Sequence, residues 1–136
     1  MVDITKILSI SGSGMHAQSE RMRVIAENLA NANSTAEEPG GAPYRRKIIT
    51  FRNEIDRATG IETVEVDKVL PDQRPFSRRF DPGHPAADKT GYVLMPNVNS
   101  LIEMVDMREA QRGYEANISM ITVAKDMLRR TIELLQ

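Results

Sequence analysis

Apolar side chains recur every seven residues at both ends of the chain. Near the start, Met1, Leu8, Met15, Met22 and Leu29 form one column. Ile4, Ile25 and Ala32 form its companion, with Ser11 and Gln18 as polar members. Two columns offset by three and four residues make the seam of a coiled coil, so the pattern predicts a long helix over residues 4–32. Ser11-Gly12-Ser13-Gly14 weakens it, because each interior glycine costs about 1 kcal/mol relative to alanine. A bend or a late start there stays open. Asn31-Ala32-Asn33-Ser34 should stop the helix, since Asn and Ser compete for backbone hydrogen bonds. Pro39-Gly40-Gly41 then marks a loop.

At the other end, Met107, Tyr114, Ile121, Leu128 and Leu135 are each seven apart. Met104, Ile118 and Ile132 fill a partner column, interrupted by Gln111 and Lys125. This predicts a helix from the region of Ser100 to the end of the chain. Ser100 and Glu103 read as a capping box, with Asn97 or Asn99 as alternative caps. A third column, Met120, Met127 and Leu134, widens the apolar face until it wants at least two neighbours. Gly113 reads either as a tolerated helix glycine or as a close approach of another backbone.

Between the helices the period changes to two. Tyr44–Arg52 has β-type content in Ile48, Ile49 and Phe51. Glu62–Leu70 alternates, with Val64, Val66 and Lys68 on one side and Thr63, Glu65 and Asp67 on the other. Phe76–Phe80 and Tyr92–Met95 suit short strands. Arg57-Ala58-Thr59-Gly60 and Asp81-Pro82-Gly83-His84-Pro85 suit turns, the latter with Pro fixing φ and Gly supplying positive φ. Such a unit buries little and is marginal alone.

The expected fold class is therefore α+β. Long N- and C-terminal helices pair as an antiparallel coiled coil, with a small irregular β-rich middle unit. The segments are 1–35, 36–96 and 97–136. At 1.5 Å per residue the helices would be about 43 Å and about 54 Å long. A two-helix hairpin buries one seam and leaves the wide C-terminal face exposed, which marks an interaction site. Other chains would then complete the fold, in an array whose contacts do not close on themselves.

Composition agrees with this division. All seven prolines and five of the six aromatics lie in the middle segment, and seven of the eight methionines lie in the flanks. The 136 residues carry 18 basic and 19 acidic side chains, a balance that argues against polyanion binding. Arg45-Arg46-Lys47 with Arg52 is a basic cluster, but Glu54 and Asp56 follow at once, so a solvated or interface-facing strand is preferred to a nucleic-acid site. The chain has no cysteine, which excludes disulfides, thiol catalysis and cysteine-ligated zinc. Asp81, His84 and Asp88 offer O/N/O metal ligands, yet the prolines and glycine explain them as a turn. No metal, cofactor or catalytic constellation is expected. Gly12-Ser13-Gly14 lacks the following glycine of a phosphate loop. No apolar run approaches the ~18 residues of a membrane span, and Ile4–Ile10 is too short and interrupted for a cleaved signal peptide. Taken alone, this favours the cytoplasm.

Several motifs carry a resemblance. Gly14-Met15-His16-Ala17-Gln18 and Ala26-Glu27-Asn28-Leu29-Ala30-Asn31-Ala32-Asn33 resemble the N-terminal signature of bacterial flagellar axial proteins, which include rod, hook and hook-junction components. Pro43-Tyr44-Arg45-Arg46-Lys47, Asp81-Pro82-Gly83-His84-Pro85, and the run from Gly91 through Asn99 to Met107 are similar to the short proximal rod members. Arg112-Gly113-Tyr114-Glu115-Ala116-Asn117 completes the likeness. It implies a structural, non-catalytic subunit of the drive shaft, exported by the flagellar type III apparatus without a cleaved peptide and assembled in the periplasm. It implies partners among other rod proteins (FlgB, FlgF, FlgG), the adaptor FliE and further copies of the chain in a helical array. It implies neither nucleic-acid binding nor direct membrane insertion. The expected assembly interface is Met15, Met22, Ile25, Asn28, Leu29 and Asn31 on the first helix. On the second it is Met107, Tyr114, Ile118, Ile121, Met127, Leu128, Ile132 and Leu135. For Asn28-Leu29-Ala30-Asn31, a helix end capped by Asn is the alternative reading, and the two are compatible. The competing function is a small cytoplasmic coiled-coil binding module or adaptor, separable by secretion.

Overall fold

The computed structural model describes residues 3–136; Met1, at the head of the first apolar column, lies outside them. The order of elements is α1 (Ile4–Ala30), β1 (Lys47–Ile55), β2 (Glu62–Pro71), β3 (Ser77–Phe80), β4 (Tyr92–Met95) and α2 (Ser100–Leu134). The fold is α+β.

The first helix starts on Asp3, whose carboxylate accepts the Thr5 N–H at 3.0 Å. It runs unbroken for 27 residues through Ser11-Gly12-Ser13-Gly14, so there is no late start. It stops where Asn31 turns its amide back to the Glu27 carbonyl at 2.8 Å and Ser34 Oγ donates to Asn31 Oδ1. The second helix is 35 residues long. Its cap is Asn99, whose Oδ1 accepts the Leu101 and Ile102 N–H groups at 3.1 and 3.4 Å. The expected Ser100–Glu103 capping box does not form. With Asn99 as cap, Glu103 sits one residue too far along to reach back, and its carboxylate is drawn inward to Arg46 instead.

β1 and β2 form one two-stranded sheet, β3 and β4 another. Thr50 Oγ1 donates to Lys68 O and Thr63 Oγ1 to Glu54 O, so advancing along β1 means retreating along β2. The hairpin turn is closed by Asp56 N–H to Ile61 O, with Gly60 at φ +71°. β3 and β4 are antiparallel in the register Ser77↔Met95 to Phe80↔Tyr92. The turn leaving β3 is closed by His84 N–H to Asp81 O. Gly83 does not take the expected positive φ, as a type I turn needs none. Gly91 does, at +88°, and a Cβ there would strike the Phe80 ring.

The chain divides into two compact units, each drawing on both terminal helices and the middle segment. In one (Met1–Met22, Thr50–Lys68, Arg108–Gln136) the buried side chains are small apart from Ile61: Ser11, Ala17, Ala110 and Ala124. In the other (Arg23–Ile49, Val69–Met107) Val24, Ile25, Val93 and Met95 form the apolar core, beside the buried polar groups Asn28, Asp72 and Glu103. β4 alternates as half-buried strands do: Val93 and Met95 face in, Tyr92 and Leu94 out.

Candidate assembly interface

Two polar networks hold the second unit together. Arg46 Nε donates to Glu103 Oε1, its Nη1 donates to Asp72 Oδ2 at 3.1 Å, and its Nη2 lies 4.0 Å from Asp106. Burial works against the Arg46 charge, but the hydrogen bonds and charges of Glu103 and Asp72 outweigh it and push the guanidinium up. Asp72 also accepts from Arg74 through Nε and Nη2, at 2.9 and 2.7 Å. These bonds, against the pull of burial, hold its carboxyl well below the usual carboxylate range. In the second network Asn28 stands in for a strand edge. Its Nδ2 donates to Lys47 O, and its Oδ1 accepts from Lys47 N–H and the Tyr44 hydroxyl. Burial, then the Glu27 and Glu103 charges, raise the Tyr44 phenol.

The basic cluster is consumed by these contacts. Arg45 lies over the Phe76 ring at 4.3 Å and donates to Asp72 O, Arg46 is in its buried network, and Lys47 pairs with Glu27. Arg52 pairs with Glu54, Glu65 and Asp67 on the hairpin. The Asp81–His84–Asp88 stretch is likewise spent on its own turns. His84 Nδ1 accepts the Ala86 N–H, and Nε2 meets Thr35 Oγ1 at 3.0 Å. Asp88 accepts from the Thr90 hydroxyl and the Thr90 and Tyr92 N–H groups, which lowers its pKa.

The expected interface residues fall into three groups. Ile25 and Asn28 are buried in the chain's own fold. Met15, Met22, Leu29, Asn31, Met107, Tyr114 and Ile121 are half-buried at its margin. Ile118, Met127, Leu128, Ile132 and Leu135 are exposed, Leu135 at 83%. The seam columns need one correction. On α1 the expected second column does turn inward at Ser11 and Ile25. On α2 the inward column is Glu103, Ala110, Asn117 and Ala124, one position before the expected Met104, Ile118 and Ile132, all of which are exposed. Small side chains and amides let backbones approach where the larger residues do not fit.

Sequence reasoning missed the other half of the exposed face. Leu101, Ile102, Val105 and Val123 join Met104, Met120 and Leu134 on the outside of α2, with Leu101 at 72%. Their spacing of three and four was visible, but two columns had already been assigned to a seam. It also missed Arg46, Asp72 and Glu103, which are 26 to 57 residues apart in the chain and carry no periodic signal. Apolar area exposed on this scale along one helix is what subunit interfaces present before assembly.

Known proteins match along nearly the whole chain. Residues 8–36 match the family described as flagella basal body rod protein, and residues 89–134 the C-terminal family of the flagellar basal body rod FlgEFG proteins. The chain is 52% identical over 127 residues to the flagellar basal-body rod protein FlgC of Agrobacterium fabrum, covering 93% of this chain and 91% of that one. It is 43% identical over 133 residues to the FlgC of Salmonella typhimurium, covering 96% and 97%. A Buchnera aphidicola FlgC is 37% identical over 132 residues, covering 96% and 97%. With more than nine-tenths of each chain matched and both terminal families present, the chain belongs to the FlgC family of flagellar basal-body rod proteins.

Proposed function

We propose that the chain is a non-catalytic structural subunit of the proximal part of the flagellar rod, and that the apolar outer face of α2 joins it to its neighbours. The observation that carries this is the run of exposed large apolar residues from Leu101 to Leu135, on a chain whose relatives are named as basal-body rod proteins. α1 and α2 pair as an antiparallel coiled coil, and the array of such pairs buries Ile118, Met127, Leu128, Ile132 and Leu135 against other chains. Met15, Met22, Leu29, Asn31, Met107, Tyr114 and Ile121 border that contact, and Ile25 and Asn28 support it from within. The neighbours are FlgB, FlgF and FlgG, the adaptor FliE and other copies of this chain. The subunit reaches the periplasm through the flagellar type III export apparatus, with no peptide removed.

The test is purification of intact basal bodies from cells making an epitope-tagged chain. The tagged chain should co-purify with the rod at its unprocessed mass, and photo-crosslinkers at Met104 and Leu128 should give adducts with rod proteins. A tagged, functional chain that stays in the cytoplasm and is missing from purified rods overturns the proposal.

A further inference from the structure

Two of the sequence motifs are built alike. One reads Gly14-x-x-x-Gln18 on α1, the other Gly113-x-x-x-Asn117 on α2. Within the first unit they meet head to tail. A Cβ on Gly14 would lie 2.8 Å from Asn117 Nδ2 and 2.9 Å from its Oδ1. A Cβ on Gly113 would lie 3.0 Å from Gln18 Nε2 and 3.1 Å from its Cδ. Each glycine therefore receives the amide carried one turn further along the opposite helix. Arg21 and Glu109 add the next rung, at 3.4 Å. The three pairs run in opposite directions along the two helices, so the contact is antiparallel.

We infer that this reciprocal pair of glycine–amide contacts is a register lock: it selects one antiparallel alignment of α1 on α2 and excludes those one turn away. Apolar columns repeating every seven residues do not select alone, because a slipped helix still finds apolar partners. The lock does. Sliding one helix four residues in one direction brings Gln18 against Asn117, two amides in the space of one. Sliding it four residues in the other direction sets Gly14 against Gly113 and opens a hole where an amide had packed. Both contacts cost packing, and each amide loses its seat. Asn117 is already fixed in place by its Nδ2 bond to the Gly113 carbonyl at 2.9 Å. Gln18 Oε1 is buried with no hydrogen-bond partner among the described residues, a cost to stability that a specificity role explains. A one-turn slip would move the outer face of α2 by about 6 Å against α1. The inference stands on these contacts alone, independent of what the helices assemble with.

The test is crossed rescue in the full-length chain. Gly14→Ala and Gly113→Ala should each have a lower Tm than Gly12→Ala, by about 4 °C, because all three gain helix propensity but only these two set a Cβ against a seated amide. Asn117→Ala should restore Gly14→Ala but not Gly113→Ala, and Gln18→Ala should do the reverse. Because the chain has no cysteine, register can be read directly by engineered cysteine pairs joined with a short bifunctional thiol reagent, which spans the gap left where Arg21 and Glu109 meet only at their side-chain tips. With Arg21→Cys, Glu109→Cys should cross-link in the native chain and Val105→Cys should not. In the Gln18→Ala/Asn117→Ala background both should cross-link. Rescue by either alanine indiscriminately, no rescue at all, or a double variant that cross-links only at 109 overturns the lock.

Discussion

At the scale of single residues, the strongest expectation concerns Arg46. It is the cation between Glu103 and Asp72, and Glu103 is only 1% exposed. Removing one partner of a buried pair strands the others, at about 3–5 kcal/mol. Arg46→Met should therefore lower the unfolding free energy measured in urea by an amount of that order. Arg52→Met should change stability by less than about 1 kcal/mol, because its three carboxylates are solvated. Asp72 adds a pH dependence. Its folded-state pKa is depressed by Arg74 first and Arg46 after, so folding favours the ionised form. That contribution is complete above the unfolded value of about 3.9 and is lost as pH falls below it. Urea midpoints measured from pH 6 downward should drop below pH 4, and Asp72→Asn should be less stable at pH 6 with a shallower drop. An equally steep acid limb in Asp72→Asn assigns the drop to other carboxylates. None of this was legible in the sequence. Arg46 looked like one member of a surface cluster, and only the tertiary fold brings distant Glu103 and Asp72 to it.

At the scale of elements, the sequence was much more informative, for identifiable reasons. The period of seven locates both helices and the period of two locates β2, because backbone geometry fixes which side chains share a face, while β1, β3 and β4 are read from β-type residues between turns. The two failures have separate causes. The α2 cap moved from Ser100 to Asn99, where two adjacent capping residues were equally eligible. The α2 seam moved by one position, because large apolar residues were given to the chain's own contact. That contact is made by Ala110, Asn117 and Ala124, which draw no attention in a hydrophobicity pattern, while Met104, Ile118 and Ile132 face outward. Glycine shows the same division. Gly14 is needed where it is, but a Cβ on Gly12 would touch nothing within 4 Å, and Gly12 lies inside α1 at an ordinary φ. Gly12→Ala should stabilise the isolated chain by about 0.5–1 kcal/mol, through helix propensity and a less flexible unfolded state. A raised melting temperature checks this, and a lowered one would mean that α1 is not continuous through Gly12 in solution.

At the scale of the whole molecule, stability and assembly should separate. Leu128 is 44% exposed and belongs to the apolar face that the chain's own fold leaves uncovered. A charge there stays in water while the chain is alone, so Leu128→Asp should shift the stability of the isolated protein by no more than about 0.5 kcal/mol. Once a neighbour covers the position, the same carboxylate must be desolvated without a partner, which costs several times more. The variant should fold with wild-type helicity by circular dichroism, be secreted, and fail to join the rod, leaving cells non-motile in soft agar. Leu128→Met, which keeps the apolar volume, should support normal swarming. Motility equal to wild type in Leu128→Asp removes this face from the assembly. Loss of folding in the isolated variant shows instead that the chain itself uses Leu128. The two measurements together distinguish a core residue, whose loss unfolds the single chain, from an interface residue, whose loss spares the chain and stops assembly.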